Sequence, residues 1–269
     1  MIATDILMCV VEDIQPCTTI RLSTTNLNPP LQRDDRMKRK LLSTLIVLLL
    51  TAGTGWADTN DDAYAAYKRG DYAEAVKLYR LSAAQENPKG QFGLGYMYAT
   101  GRGVTQNFTE AVKLYRLAAA QGYVSAQSFL GNRYKERQGV AQDYAATVKW
   151  YRLAAEQGNA DAQLNLGSIY RNGQGVTQNY AEAVKWYRLA AEQGNVDAQL
   201  NLGLMYRNGQ GVTQDYVRAH MWFNLGATSG DADSVKNRDL TARKMTSQQI
   251  TQAQIMARDC KQKNFKGCE

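Results

Sequence analysis

A 36-residue block repeats almost unchanged in this chain: Val140–Gly175 reads VAQDYAATVKWYRLAAEQGNADAQLNLGSIYRNGQG and Val176–Gly211 reads VTQNYAEAVKWYRLAAEQGNVDAQLNLGLMYRNGQG, identical at 29 of 36 positions. A fixed period of this length specifies an array of stacked units rather than one closed core. A single unit cannot bury enough apolar surface to offset the ordering of its own backbone, so neighbouring units must complete one another. Arrays of this kind present an extended surface, and most of them bind rather than catalyse.

The register extends beyond the two best copies. An aromatic position recurs every 36 residues at Tyr72, Phe108, Tyr144, Tyr180 and Tyr216. Before it stands Asp71, Asn107, Asp143, Asn179 or Asp215, a residue whose short side chain accepts an orphan backbone N–H and so starts a helix. Glu74, Glu110 and Glu182 follow at the spacing of a reciprocal capping box, which Ala146 and Arg218 break in two copies. The helix is expected to run about 15 residues. Ala183, Trp186, Tyr187, Ala190 and Ala191 mark its buried stripe, and it stops at Gly122, Gly158, Gly194 or Gly230, with Glu86 in the first copy. A second helix follows, over 161–172 in one copy, with Ala162, Leu166, Gly167 and Tyr170 inward. It closes on the turn Gly173-Gln174-Gly175, and Arg137 replaces the first of these glycines in the preceding copy.

Gly95, Gly131, Gly167 and Gly203 fall inside this second helix, where each costs about 1 kcal/mol relative to alanine. Their recurrence at one register position points to a steric cause: a neighbouring helix comes too close there for a side chain.

The string A-x-x-x-L-G-x-x-Y-x-x-G-x-G-V-x-x-[DN]-Y-x-x-A-x-x-W-Y-x-x-A-A-x-x-G resembles the Sel1-like repeat, a relative of the tetratricopeptide repeat, over roughly residues 61–235. The stretch beginning Ala63-Tyr64-Ala65-Ala66-Tyr67 is closer to a plain tetratricopeptide unit with a tighter turn. The resemblance implies an all-α, right-handed α/α superhelix of antiparallel helix pairs that acts as a scaffold or adaptor for protein complexes. It also implies that the L-G-x-x-Y helices line the concave face. Carried onto this sequence, that face holds Lys89, Phe92, Tyr96, Asn132, Lys135, Leu164, Ser168, Arg171, Leu200, Leu204 and Arg207. Apolar anchors mixed with cations suit an extended peptide or an acidic chain end; the bland reading is a set of ordinary exposed residues. Arg171 and Arg207 are one period apart and should form a row.

The N-terminus reads as a targeting segment. Met37-Lys38-Arg39-Lys40 precedes the apolar run Leu41–Leu50, and Gly55 and Ala57 offer small residues for cleavage, so residues 37–57 read as a signal peptide. An uncleaved anchor is the alternative, though 41–57 falls short of the roughly 20 apolar residues of a membrane span. Residues 1–36 show no periodicity and sit ahead of that segment; translation is expected to start at Met37, leaving them a non-native leader. The mature protein then lies in the bacterial periplasm or outside the cell, with repeats over 58–235 and a capping helix and tail over 236–269. Cys9 and Cys17 belong to the leader. Cys260 and Cys268 read as a disulfide in an exported protein, with two free thiols as the alternative.

The net charge is +7. The mature chain carries 26 basic against 20 acidic residues, and 236–269 alone carries eight against three, so the repeats are nearly neutral. Lys261, Lys263 and Lys266 offer the tail a weak contact with an anionic surface or, more plainly, a solvated helix end. Without a basic stripe along the repeats, nucleic acid is not an expected partner. Thr246-Ser247-Gln248-Gln249 reads as a capping box opening a polar helix to about Cys260.

Catalytic constellations lack parts. The single histidine, His220, occupies the slot of Val76, Val112, Val148 and Val184, which makes it a packing or rim residue. One histidine and two cysteines expected to pair with each other lack the parts of Cys–His catalysis and of a typical zinc site. No G-x-S-x-G motif is present, and the G-x-G turns have neither a third glycine nor a P-loop lysine. No cofactor or metal is therefore expected. A cysteine-rich branch of the resembled family is linked to β-lactamase-type activity and penicillin binding, but no cysteine falls inside these repeats. A hydrolase of that type and a regulator that binds cell-wall fragments stand as alternatives to the adaptor. Partner identity and oligomeric state are not encoded in any motif.

Overall fold

The structure, a computed structural model, describes residues 59–268. The leader, the signal segment and the cysteines at 9 and 17 lie outside the described residues. A helix over 59–68 (α1) is followed by α2 (Tyr72–Ala84), α3 (Pro88–Thr100), α4 (Phe108–Ala120), α5 (Val124–Glu136), α6 (Tyr144–Glu156), α7 (Ala160–Asn172), α8 (Tyr180–Ala191), α9 (Val196–Asn208), α10 (Tyr216–Thr228), α11 (Ala232–Ala242) and α12 (Ser247–Gln262), with no strand among the described residues. From α2 to α11 each helix packs on its successor, the arrangement of an all-α solenoid. The core is correspondingly broken into a chain of clusters, one around Tyr115 and Leu130, the next around Tyr151 and Leu166, the next around Tyr187, Leu202 and Phe223.

The even-numbered helices α2 to α10 start where the sequence places them. Asp71, Asn107, Asp143, Asn179 and Asp215 each accept the backbone N–H three residues on, at 2.9 to 3.2 Å. The reciprocal half of the box does not form at these caps. The cap N–H is already committed: Asn107, Asn179 and Asp215 donate to the carbonyls of Tyr98, Tyr170 and Tyr206, each at 2.9 Å. The displaced glutamates turn outward instead, Glu74 to Lys77 and Glu110 to Lys113, at 3.3 and 3.0 Å. Among the described residues only Thr246 and Gln249, at α12, complete a box. The even helices are also shorter than expected, 12 or 13 residues, because Gln121, Gln157 and their equivalents already turn toward the following glycine. Where glycine is missing, Glu86 and Arg137 themselves take positive φ, 60° and 61°.

The recurring mid-helix glycines face aromatic rings of the next helix. A Cβ on Gly131 or Gly167 would stand 2.7 Å from the ring of Tyr151 or Tyr187, and one on Gly203 2.6 Å from Phe223. Those rings are fully buried. Buried glutamines add rungs across three helices. Gln163 in α7 donates to Ala155 O at the end of α6 (3.0 Å) and accepts from Gln193 beyond α8 (2.8 Å); Gln127 repeats this with Ala119 (3.3 Å) and Gln157 (2.8 Å).

The last helix leaves the stack. α12 packs on α10, not on α11. Lys244 lies over the Tyr216 ring at the start of α10, and Phe265 comes up against Gly194 beyond α8, so α12 runs in the direction of α10. Cys260 and Cys268 face each other with Cα atoms 4.9 Å apart, within disulfide range.

Candidate functional site

The odd-numbered helices α3, α5, α7 and α9 carry all eleven residues of the expected binding face. Ten are half-buried and Lys89 is exposed. They do not form one uniform surface but divide into an aromatic cavity and a polar ladder.

The cavity, about 460 Å³, lies where α1, α2, α3 and α5 converge. Phe92, Tyr96 and Lys89 of the expected set line it, joined by Tyr64, Tyr67, Tyr79, Tyr123 and Phe129, with Asn60 and Asp61 from α1. Ring centroids from Phe92 to Tyr123 and to Phe129 are 5.3 and 5.2 Å apart, and Phe129 meets Tyr96 edge-on at 6.1 Å. Aromatic pairs at such distances are mutually favourable. Burial pushes the Tyr79 phenol up to about 12. Hydrogen bonding with Tyr96, then burial, raises that of Tyr67. These phenols therefore stay neutral at physiological pH, and the charges on the lining belong to Asp61 and Lys89. Chemically the cavity is an apolar receptacle with hydroxyl groups and one charge of each sign.

Tyr123, Phe129, Tyr64 and Tyr67 escape a reading based on the expected face alone, but the period marks the first two. Tyr123 stands in the column of Asn87, Asn159 and Asn195, which cap α3, α7 and α9, and α5 consequently starts without a side-chain cap. Phe129 stands in the column of Asn165, Asn201 and Asn237.

Those asparagines form the ladder. Lys135 Nζ donates to Asn165 Oδ1 (3.2 Å), Arg171 Nη1 to Asn201 (2.8 Å) and Arg207 Nη1 to Asn237 (2.6 Å). Each asparagine amide in turn donates to a carbonyl one turn earlier in its own helix, as Asn201 does to Asp197 O at 2.8 Å. Arg171 and Arg207 make equivalent bonds one period apart, each guanidinium bridging one odd helix to the next. Asn132 and Ser168 are also engaged, accepting from the hydroxyls of Tyr151 and Tyr187. Leu164, Leu200 and Leu204 pack as partly buried residues against the C-terminal cluster.

His220 is buried in α10, and desolvation first, then the Arg238 charge, lowers its pKa against an opposing pull from Asp239. Among the described residues no group of three His, Cys, Asp or Glu side chains could hold a metal ion, and no helix is long and apolar enough to cross a membrane. Lys261, Lys263 and Lys266 are exposed at the end of α12 and beyond it.

The Sel1 repeat family model matches residues 65–87, 88–123, 124–159, 160–195 and 196–231. A Sel1 repeat protein from Oxalobacter formigenes is similar in structure, with TM-score 0.61 and 39% identity over 64% of this chain and 71% of that one. A protective antigen of uropathogenic Escherichia coli strains with an SLR fold is 27% identical, TM-score 0.43, over 81% of this chain and 63% of its own. No match is found among curated proteins.

Proposed function

The chain belongs to the Sel1 repeat family, whose members are generally non-catalytic scaffolds that bind protein partners, and from that premise we propose an exported adaptor that holds an extended segment of a partner along its odd helices and anchors it in the aromatic cavity. One observation carries this reading. Two positions that are asparagine in the later copies are aromatic at Tyr123 and Phe129, both converge with Phe92 and Tyr96 on one cavity, and at Tyr123 a helix cap is given up for it. The volume lies within the roughly 300–1,000 Å³ usual for pockets that hold a ligand group. It takes a bulky apolar side chain, with Lys89 and Asp61 at hand for the polar ends of the segment. The cations Lys135, Arg171 and Arg207 further along favour a segment that is acidic beyond its anchor.

The test is photo-crosslinking in cells from a benzophenone side chain placed at position 96 or 129, with position 236 as control. A protein captured from 96 and 129 but not from 236 supports the anchor; equal capture from all three removes it. N-terminal sequencing of the mature protein checks export, with Asp58 as the expected first residue. Nitrocefin turnover by purified protein, unchanged on repurification, would replace the adaptor with the hydrolase.

A further inference from the structure

The even-numbered helices expose a second periodic surface. Leu81, Leu117, Leu153 and Leu189, one per repeat, are 53, 54, 36 and 38% exposed, whereas Leu225, the same position in α10, is 1% exposed. The difference is α12, which covers α10 there: Leu225, Met221 and Trp222 share one cluster with Ala253, Ala257 and Cys260 of α12. The chain thus contains one worked example of what this face accepts, a helix laid alongside with small side chains inward.

The repeats also say why α12 itself sits only at α10. One turn before each leucine stands Lys77, Lys113, Lys149 or Lys185, and in α10 alone that position is Met221, fully buried. A helix lying over α4 or α6 as α12 lies over α10 would bring its face against a lysine. Lys113 is paired with Glu110 at 3.0 Å. In α6 the glutamate is replaced by Ala146, and Lys149 instead lies over the Trp150 ring at 5.3 Å. Beside it a concavity of about 320 Å³ is lined by Val148, Lys149, Arg152, Leu153 and Glu156, together with Ala145.

We infer that the outer face of α4 and α6 is a docking site for an amphipathic helix of a partner protein, one that presents a small-residue stripe to Leu117 and Leu153 and carboxylates to Lys113 and Lys149. Burial of two half-exposed leucines supplies the apolar attraction, and the lysines select an acidic helix over a neutral one. A second copy of this chain does not meet that requirement, since the stripe of α12 is flanked by Gln249, Gln252 and Gln254 and its α10 seat carries methionine where α4 and α6 carry lysine. This surface is separate from the aromatic cavity.

The probe is a fluorescent peptide of residues 247–262 with Cys260→Ala, made acidic by Gln249→Glu, Gln252→Glu, Gln254→Glu and Lys261→Glu. Fluorescence anisotropy against the purified chain should show saturable binding. The affinity should fall at least about tenfold for Leu117→Asp/Leu153→Asp and for Lys113→Glu/Lys149→Glu, and the neutral parent peptide should bind at least about tenfold more weakly. Tyr96→Ala should leave the acidic peptide's affinity unchanged. If an aspartate variant loses its helical circular dichroism, Leu117→Ser/Leu153→Ser gives the same reading. Equal binding by the variants, equal binding of the neutral peptide, or no saturable binding of the acidic one overturns the inference. So does a dimer in sedimentation that Leu117→Asp dissociates, which would make a second copy the occupant.

Discussion

Replacing Tyr123 separates what α5 needs for stability from what the cavity needs for binding. Asn87, Asn159 and Asn195, in the same column, each accept a backbone N–H at 2.8 to 2.9 Å, and a cap of this type contributes about 1 kcal/mol. Tyr123 makes no such bond; its ring lies 5.3 Å from that of Phe92, a contact of about 1 kcal/mol. Tyr123→Ala loses the ring and gains nothing. Tyr123→Asn loses the same ring and regains the cap, so it should be more stable than the alanine variant by about 1 kcal/mol and lie close to the parent protein. For an array of this size the gap corresponds to about 2–4 °C in Tm. Urea unfolding followed by circular dichroism at 222 nm reads the difference directly. Crosslinking from position 129 should fall equally in both variants, because the partner's anchor loses the same wall. Equal stability of the two variants would refute the claim that a cap is missing, and undiminished capture by either would refute the assignment of the cavity.

Four further outcomes follow from the packing. Gln199 reaches Ala191 O at 3.3 Å but its Oε1 is buried with no partner among the described residues, since Ser229 stands where Gln193 serves Gln163; Ser229→Gln should stabilise by about 1 kcal/mol, and Gln193→Ala should cost about 1–3 kcal/mol by orphaning Gln163, both read from urea midpoints. Gly167→Ala should destabilise although alanine is the better helix former by about 1 kcal/mol, because the added carbon would stand 2.7 Å from the buried Tyr187 ring; a variant as stable as the parent would show that the ring can move. His220 has a lowered pKa in the folded chain, so the unfolded state takes up a proton first as pH falls below about 6.5, and stability present above that pH is lost toward the folded-state value. His220→Val, the residue of the other copies, should flatten the fall in thermal stability between about pH 7 and the lowered folded-state pKa, and an unchanged slope would place the acid sensitivity elsewhere.

What could be read from the sequence and what could not divide along a physical line. Caps, mid-helix glycines and left-handed turns answer to local backbone geometry that recurs every period, and all of them stand where the columns put them, down to Glu86 and Arg137 in place of glycine. At Asp71, Asn107 and Asn179 the reciprocal half of the box failed because its donor is taken by a carbonyl of the preceding helix, that of Ala66, Tyr98 or Tyr170, a competitor that the box's own spacing does not show. The expected binding face is the harder case. Treating its columns as equivalent treats Lys135, Arg171 and Arg207 as mobile side chains, yet each keeps its charge while held by a neutral asparagine 30 residues on, an offset set by how adjacent odd helices stagger rather than by the 36-residue period. The informative positions are therefore those where a column breaks. Phe129 replaces the asparagine of the later copies and lines a cavity, Tyr123 interrupts a cap column and walls it, and Met221 ends a lysine column and seats α12. The Tyr123 break gives up a cap that Asn87, Asn159 and Asn195 all make, and a repeat under selection for stability alone has no reason to do so. Breaks that the same fold then uses, as Met221 is used by α12, are accounted for by packing. The aromatic breaks line a concave, half-buried surface instead, and it is that lining, more than the exposed columns beside it, on which the proposal of a partner rests.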